Sequence, residues 1–385
     1  MSEQRGFPPD LLSKSVAERV KYFHDLIIGH PKAKAVKAEL LQRIFEKAHP
    51  EIILCIGPSG VGKTILSIKL FETLTDIGIR NKITEVGRIP AAWWEVPDPE
   101  LAIVRPKDMH IRCLEALRER MIEHKIVFEK KHERLLENPG SKSHVGHELR
   151  RTLEKTLKNR CPYAVLVDEG HHLCQNANDR TILGHATHIK SLSNTTEVPW
   201  VIFGTYELLD LWAGSGQLAR RTHIVHFENY ETTKEDLKHV KNILSTYEVN
   251  LPFKKKPNLV EHCDYLVMRS TGCNGQLKDL LTNAFQLAAE NGDDTLTIEH
   301  IEAIPFYEEA IRVMNDEIMK GKARLKRGSY KDFAKHSKQQ AQKQQEEKPK
   351  DTVSPKKVTR SVGKRNPKRD PVGVENLVEK MKESA

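Results

Sequence analysis

Long apolar runs are missing from this chain of 385 residues. No stretch approaches the roughly 20 consecutive apolar residues of a membrane-spanning helix, so no membrane partner is expected. Its first residues, MSEQRGFPPD, lack the basic-then-apolar order of a secretory signal, and a cytoplasmic location is the expectation. Cysteine is sparse, at positions 55, 113, 161, 174, 263 and 273, and no C-x-x-C pair occurs. Free thiols in a reducing compartment follow from that scarcity. Cys161, His171, His172 and Cys174 invite a zinc reading, but an acidic strand end, described below, occupies the space between them. There is no internal repeat.

Hydrophobic residues make up 38% and charged residues 30%, which fits globular sequence with some polar, disordered sequence attached. The length allows two domains plus tails. The formal net charge of +9 is unevenly placed. Residues 321–385 hold 19 Lys/Arg against 8 Asp/Glu, a surplus that exceeds the whole-chain charge and leaves the rest slightly acidic. A basic tail of this kind suits nucleic acid or an acidic partner, or simply stays solvated. Residues 105–160 are also basic, with 15 Lys/Arg against 9 Asp/Glu.

Residues 1–48 read as a helical segment, with apolar residues at helical spacing from Ala17 to Ala48 and an interruption at Gly29-His30-Pro31. Residues 49–229 alternate short apolar runs with amphipathic stretches. Strands are expected at Glu51–Ile56, Ile83–Val96, Tyr163–Val167, Trp200–Phe203 and His223–Phe227, with a helix over Thr64–Thr75 and mostly helical sequence over 105–160, broken near Asn138-Pro-Gly-Ser-Lys142. Such alternation predicts an α/β fold with a mostly parallel sheet covered by helices. Residues 230–319 read as a small helical domain, with helices at Thr232–Thr246, Leu259–Ser270, Leu277–Asn291 and Ile298–Met319. Residues 320–385 are too polar to bury a core and read as a disordered basic tail. Within the tail, Val374, Leu377, Val378 and Met381 fall on one helical face, as in a short amphipathic helix.

Gly57-Pro58-Ser59-Gly60-Val61-Gly62-Lys63-Thr64 matches the phosphate-binding pattern G-x-x-x-x-G-K-[ST], with a strand before it and a helix after it. Glycines let backbone N–H groups curl around phosphate oxygens, and the following helix adds its positive dipole end. Lys63 is expected to reach the β- and γ-phosphates, and Thr64 to bind Mg²⁺, so ATP and Mg²⁺ are the expected cofactors. The strand end Val167-Asp168-Glu169 supplies the second half. Asp168 is expected to hold the metal through water and Glu169 to act as general base on the attacking water. Thr205, after the next strand, is expected to orient that water. Arg220 and Arg221 are candidates for a transition-state cation projected into a neighbouring subunit, with Arg220 slightly favoured.

GPSGVGKT, LVDEGHHL, IKSLSN, VIFGTYELLDL and QLARR occur here in the order of the TnsC/TniB transposition regulators, which this chain resembles over about residues 30–305. These are AAA+ ATPases, more distantly similar to the phage protein MuB. The resemblance implies an AAA+ P-loop domain followed by a helical lid. It implies a DNA-binding ATPase that assembles as a ring or helical filament on target duplex DNA, answers to a target-selection protein and recruits transposase subunits. It places DNA contacts between the two phosphate-site motifs, which nominates Lys107, Arg112, Arg150 and Arg151. It also implies that the 374–381 helix docks on transposase. One departure stands out: the lid stretch Thr271-Gly-Cys-Asn-Gly-Gln-Leu-Lys278 lacks the usual nucleotide-sensing Arg, leaving Lys278 or Asn274 as substitutes. Two other functions fit part of the pattern. One is a nucleotide switch of a defence or signalling system that binds protein; the other is a DEAH-like helicase, which would need a second α/β domain.

Overall fold

Three apolar pentapeptides form the middle of the sheet in the computed structural model of this chain: Ile52–Ile56 (β1), Ala164–Asp168 (β3) and Trp200–Gly204 (β4), each buried at every residue. Ala91–Glu95 (β2) and Thr222–His226 (β5) lie at the edges, in the order β2-β3-β4-β1-β5, and every neighbouring pair is parallel. The structure describes residues 6–46, 52–81, 87–99, 103–122, 143–213 and 222–326. By contacts the chain divides into Met1–Leu325 and Lys326–Ala385. All of the second unit except Lys326 lies outside the described residues, and the 374–381 segment with it.

A fully buried parallel sheet needs cover on both faces, and alternation along each strand provides two cores. Ile52, Leu54, Ile56, Val165, Val167, Trp200 and Ile202 face one of them. Helices Pro106–Ala116 (α4), Ser143–Arg160 (α5) and Asp179–Thr196 (α6) close that side through Met109, Leu153 and Ile189. Ile53, Cys55, Leu166, Val201 and Phe203 face the other core, closed by Pro31–Phe45 (α2) and Lys63–Arg80 (α3) through Leu40, Leu70 and Leu74. The helix after the phosphate loop is thus longer than Thr64–Thr75, and the second strand is shorter than Ile83–Val96.

A third core belongs to helices Lys234–Asn250 (α8), Cys263–Arg269 (α9), Asn274–Asn291 (α10) and Ile298–Ala303 (α11). The short Leu208–Ala213 helix (α7) follows β4. The N-terminal 1–48 segment does not act as one element. Val16–Asp25 (α1) joins the third core, where the fully buried Phe23 meets the rings of Tyr247 and Phe285 edge-on. α2 instead joins the sheet. The extended Leu26–His30 link therefore spans the helical domain and the sheet domain.

Ile298–Met319 is two helices, not one. Pro305 pushes Ile304 into extended backbone (φ −71°, ψ 118°), which ends α11. The next helix, Glu308–Leu325 (α12), runs past the expected tail boundary at 320. It does so because its last turns are packed: Ile318 enters the sheet core, and a Cβ on Gly321 would lie 2.2 Å from the Tyr206 ring. Arg324 also pairs with Asp210 at 2.6 Å.

Candidate functional site

Ligand sites in open parallel sheets form beyond the carboxyl ends of the strands. Here β1 runs into the Gly57–Gly62 loop, β3 ends at Asp168 and β4 ends at Gly204. Gly62 caps α3 in the left-handed region (φ 107°), which an L side chain rarely adopts. The helix N-terminus then points its free N–H groups at the loop. Lys63 lies buried there, and its Nζ donates to the carbonyls of Gly57 (3.1 Å) and Pro58 (2.8 Å). Burial lowers its pKa, and the nearby Glu169 carboxylate most strongly opposes that effect.

Asp168 is almost fully buried. Its Oδ1 accepts the Glu169 N–H and its Oδ2 accepts the Ser67 hydroxyl, both at 3.0 Å. Burial raises its pKa, while those two hydrogen bonds and one from Thr64 hold it down. Glu169 has φ 50°, an unusual backbone for a non-glycine residue, of the kind that gathers at functional sites. Its Oε2 lies 3.2 Å from His171 Nδ1 without hydrogen-bonding alignment. Burial, with His172 and Lys63 nearby, drops His171 to a pKa of about 4, so it is neutral at pH 7. His172 donates from Nδ1 to the Val96 carbonyl at 2.9 Å. Thr205 presents a buried hydroxyl with no hydrogen-bond partner among the described residues. Lys63, Thr64, Glu169 and Thr205 line one cleft of about 390 Å³, together with Glu95, His171 and His172.

A second hollow, about 400 Å³ and mainly apolar, adjoins the first through Gly62, Ile65 and Gly275. Its walls come from the Leu26–His30 link, Val61, Tyr247, Asn274 and Lys278. Sequence reasoning missed this wall. The apolar Leu26-Ile27-Ile28 run beside Gly29 was a signal, but it lies in a connection without periodicity. The lid stretch resolves into separate jobs. Lys278 donates to the carbonyls of His24 and Leu26, tying the link down. Asn274 accepts from Tyr247 Oη at 3.4 Å. Gly275 N–H donates to Gly60 O (2.8 Å), and Gln276 Nε2 donates to Ser59 O (3.2 Å), so the lid helix sits directly on the phosphate loop.

The remaining candidates are dispersed. Lys107 and Arg112 are exposed on α4. On α5, Arg151 is exposed and lies 3.4 Å from Glu148. Arg150 is held by Glu154 (3.0 Å) and Ser191 (2.6 Å). Arg220 and Arg221 lie outside the described residues.

Residues 46–212 match the family AAA_22, described as an AAA domain. This part of the chain is an AAA domain. Both phosphate-site motifs and the Thr205 strand end fall within it. No curated protein matches the chain. Among solved structures, the chain is similar to the ORC1 protein of Aeropyrum pernix in complex with DNA. Identity is 17%, coverage is 81% of this chain and 70% of that one, and the TM-score is 0.49. It is also similar to Drosophila ORC bound to DNA, at 16% identity, 78% and 68% coverage and a TM-score of 0.46. A mutant RuvB of Thermotoga maritima is likewise similar, at 16% identity, 76% and 71% coverage and a TM-score of 0.38. These likenesses concern the fold. 

Proposed function

We propose that this chain is a Mg²⁺-dependent ATPase whose nucleotide state governs its hold on duplex DNA, and that it acts as a regulator of DNA transposition. The observation that carries the ATPase reading is the convergence of Lys63, Thr64, Glu169 and Thr205 on one cleft, with the buried Asp168 next to Glu169 in the chain. Lys63 and the loop N–H groups would bind the phosphates. The hydroxyl of Thr64 and the carboxylate of Asp168 are oxygen donors suited to a hard cation, and they would hold Mg²⁺. Bound Mg²⁺ supplies charge neutralisation across the phosphate oxygens. Glu169, at the cleft wall, would take a proton from water. The unpartnered Thr205 hydroxyl would orient that water or a phosphate oxygen. The adjoining apolar hollow suits a purine base, which would bring Tyr247, Asn274 and the Leu26–His30 link into nucleotide binding.

The transposition reading rests on the ordered motifs that resemble TnsC/TniB regulators. Ring or filament assembly, transposase subunits and a target-selection protein as partners come with it, as do Arg220 or Arg221 completing a neighbour's site. For DNA, Lys107, Arg112 and Arg151 are the exposed candidates, whereas Arg150 is already engaged and would serve mainly to brace α5 against α6. Filter binding with duplex DNA, with and without ATP and across a salt series, tests the DNA reading. Binding should require ATP, show little sequence preference and weaken steeply with salt, because phosphate contacts release counterions. Absence of DNA binding in both nucleotide states would favour a switch that acts on protein instead.

A further inference from the structure

Ser67 lies one helical turn beyond Thr64, outside the phosphate-binding pattern, and is fully buried. Its hydroxyl joins three elements. Trp93 Nε1, from β2, donates to Ser67 Oγ at 3.0 Å. Ser67 Oγ lies 3.0 Å from Asp168 Oδ2 on β3 and 2.9 Å from the Thr64 carbonyl on its own helix. An indole N–H can only donate, and a hydroxyl has one proton. Trp93 therefore occupies a lone pair of Ser67, and the one hydroxyl proton goes to the Asp168 carboxylate, whose charge makes it a stronger acceptor than the Thr64 carbonyl. The other carboxylate oxygen of Asp168 is held by the Glu169 N–H at 3.0 Å. Both oxygens are thus pinned, and the carboxylate plane is fixed relative to Thr64.

We infer that Ser67 and Trp93 are positioning residues that orient Asp168 for the nucleotide-bound Mg²⁺. The inference rests on the ATPase reading above. Mg²⁺ demands near-ideal octahedral geometry and tolerates misplaced ligands poorly. Partners behind a metal-binding carboxylate commonly change metal affinity or activity by about 10- to 100-fold when removed. Ser67→Ala removes the donor to Asp168. Trp93→Phe keeps a ring in place but releases the hydroxyl rotor. Ser67→Thr retains the hydroxyl.

The test measures ATP affinity by calorimetry in EDTA and in Mg²⁺, with a Mg²⁺ titration of ATPase activity beside it. Ser67→Ala should keep its EDTA affinity within about twofold, while needing about tenfold more Mg²⁺ for half-maximal binding enhancement and activity. Trp93→Phe should shift the same way by less, and Ser67→Thr should behave as wild type. An unchanged Mg²⁺ requirement in Ser67→Ala and Trp93→Phe would overturn the inference. So would an equal loss of affinity with and without Mg²⁺, which marks a packing role. If Ser67→Ala does not fold, Trp93→Phe alone decides between these outcomes. Wild-type protein that binds no ATP in either condition would instead overturn the ATPase reading, and the positioning role with it.

Discussion

Thr205 brings the chemistry down to one oxygen. Its hydroxyl is buried and unpartnered, which costs stability unless something else uses it. Thr205→Val keeps the shape and removes that oxygen. Thermal melting should stay level or rise slightly, whereas ATP turnover should fall by about 10²-fold, as for loss of one group aimed at transition-state charge. Loss of stability with unchanged turnover would assign Thr205 to the fold. A second expectation concerns protons. His30, His171 and His188 are each buried to a pKa of about 4, chiefly by loss of solvent. Their unfolded values lie near 6.5, so the unfolded chain binds more protons between the two values. Their contribution to stability is present above about pH 6.5 and is lost as pH falls toward about 4. Melting temperature should drop across that window, and His30→Gln should flatten part of the drop.

At the scale of elements, the helical domain and the sheet domain meet at the phosphate loop. Phe23 anchors α1 in the third core, and the link that follows forms a wall of the apolar hollow. Phe23→Ala should cost about 3–5 kcal/mol, the usual range for a buried aromatic. Nucleotide affinity should weaken beyond what the residual folded fraction explains, because the link loses its anchor. Calorimetric binding well below the melting transition separates the two effects. Sheet and phosphate loop were legible in the sequence: β1, β3 and β4 are continuous apolar runs, and their ends carry the polar residues of the site. The division of the 1–48 segment was not. Helical periodicity says which face is apolar, but α1 and α2 find different cores through long-range contacts. The end of α12 was also hidden, because the polar composition beyond 320 gives no sign that Gly321 packs against the Tyr206 ring. Ser67 was illegible for a similar reason: its partners, Trp93 and Asp168, are far from it in sequence.

On the scale of the whole molecule, a site completed by a neighbour's Arg220 or Arg221 makes turnover depend on assembly. ATPase activity per chain should rise steeply with protein concentration. Mixing Arg220→Ala/Arg221→Ala protein with Lys63→Ala protein should restore activity, because some interfaces pair an intact phosphate loop with an intact arginine. A flat concentration dependence with no rescue would place each site within one chain.

The most direct measurement compares ATP binding and ATP hydrolysis in wild type and Glu169→Gln, each with Mg²⁺. Glu169 is the proposed base, while Lys63, Thr64 and Asp168 are the proposed holders of the phosphates and metal. The variant should therefore bind ATP about as tightly as wild type while turning it over about 10²- to 10⁴-fold more slowly, the range for loss of a general base. Equal turnover in the two proteins would contradict the assignment of this cleft as the hydrolytic site.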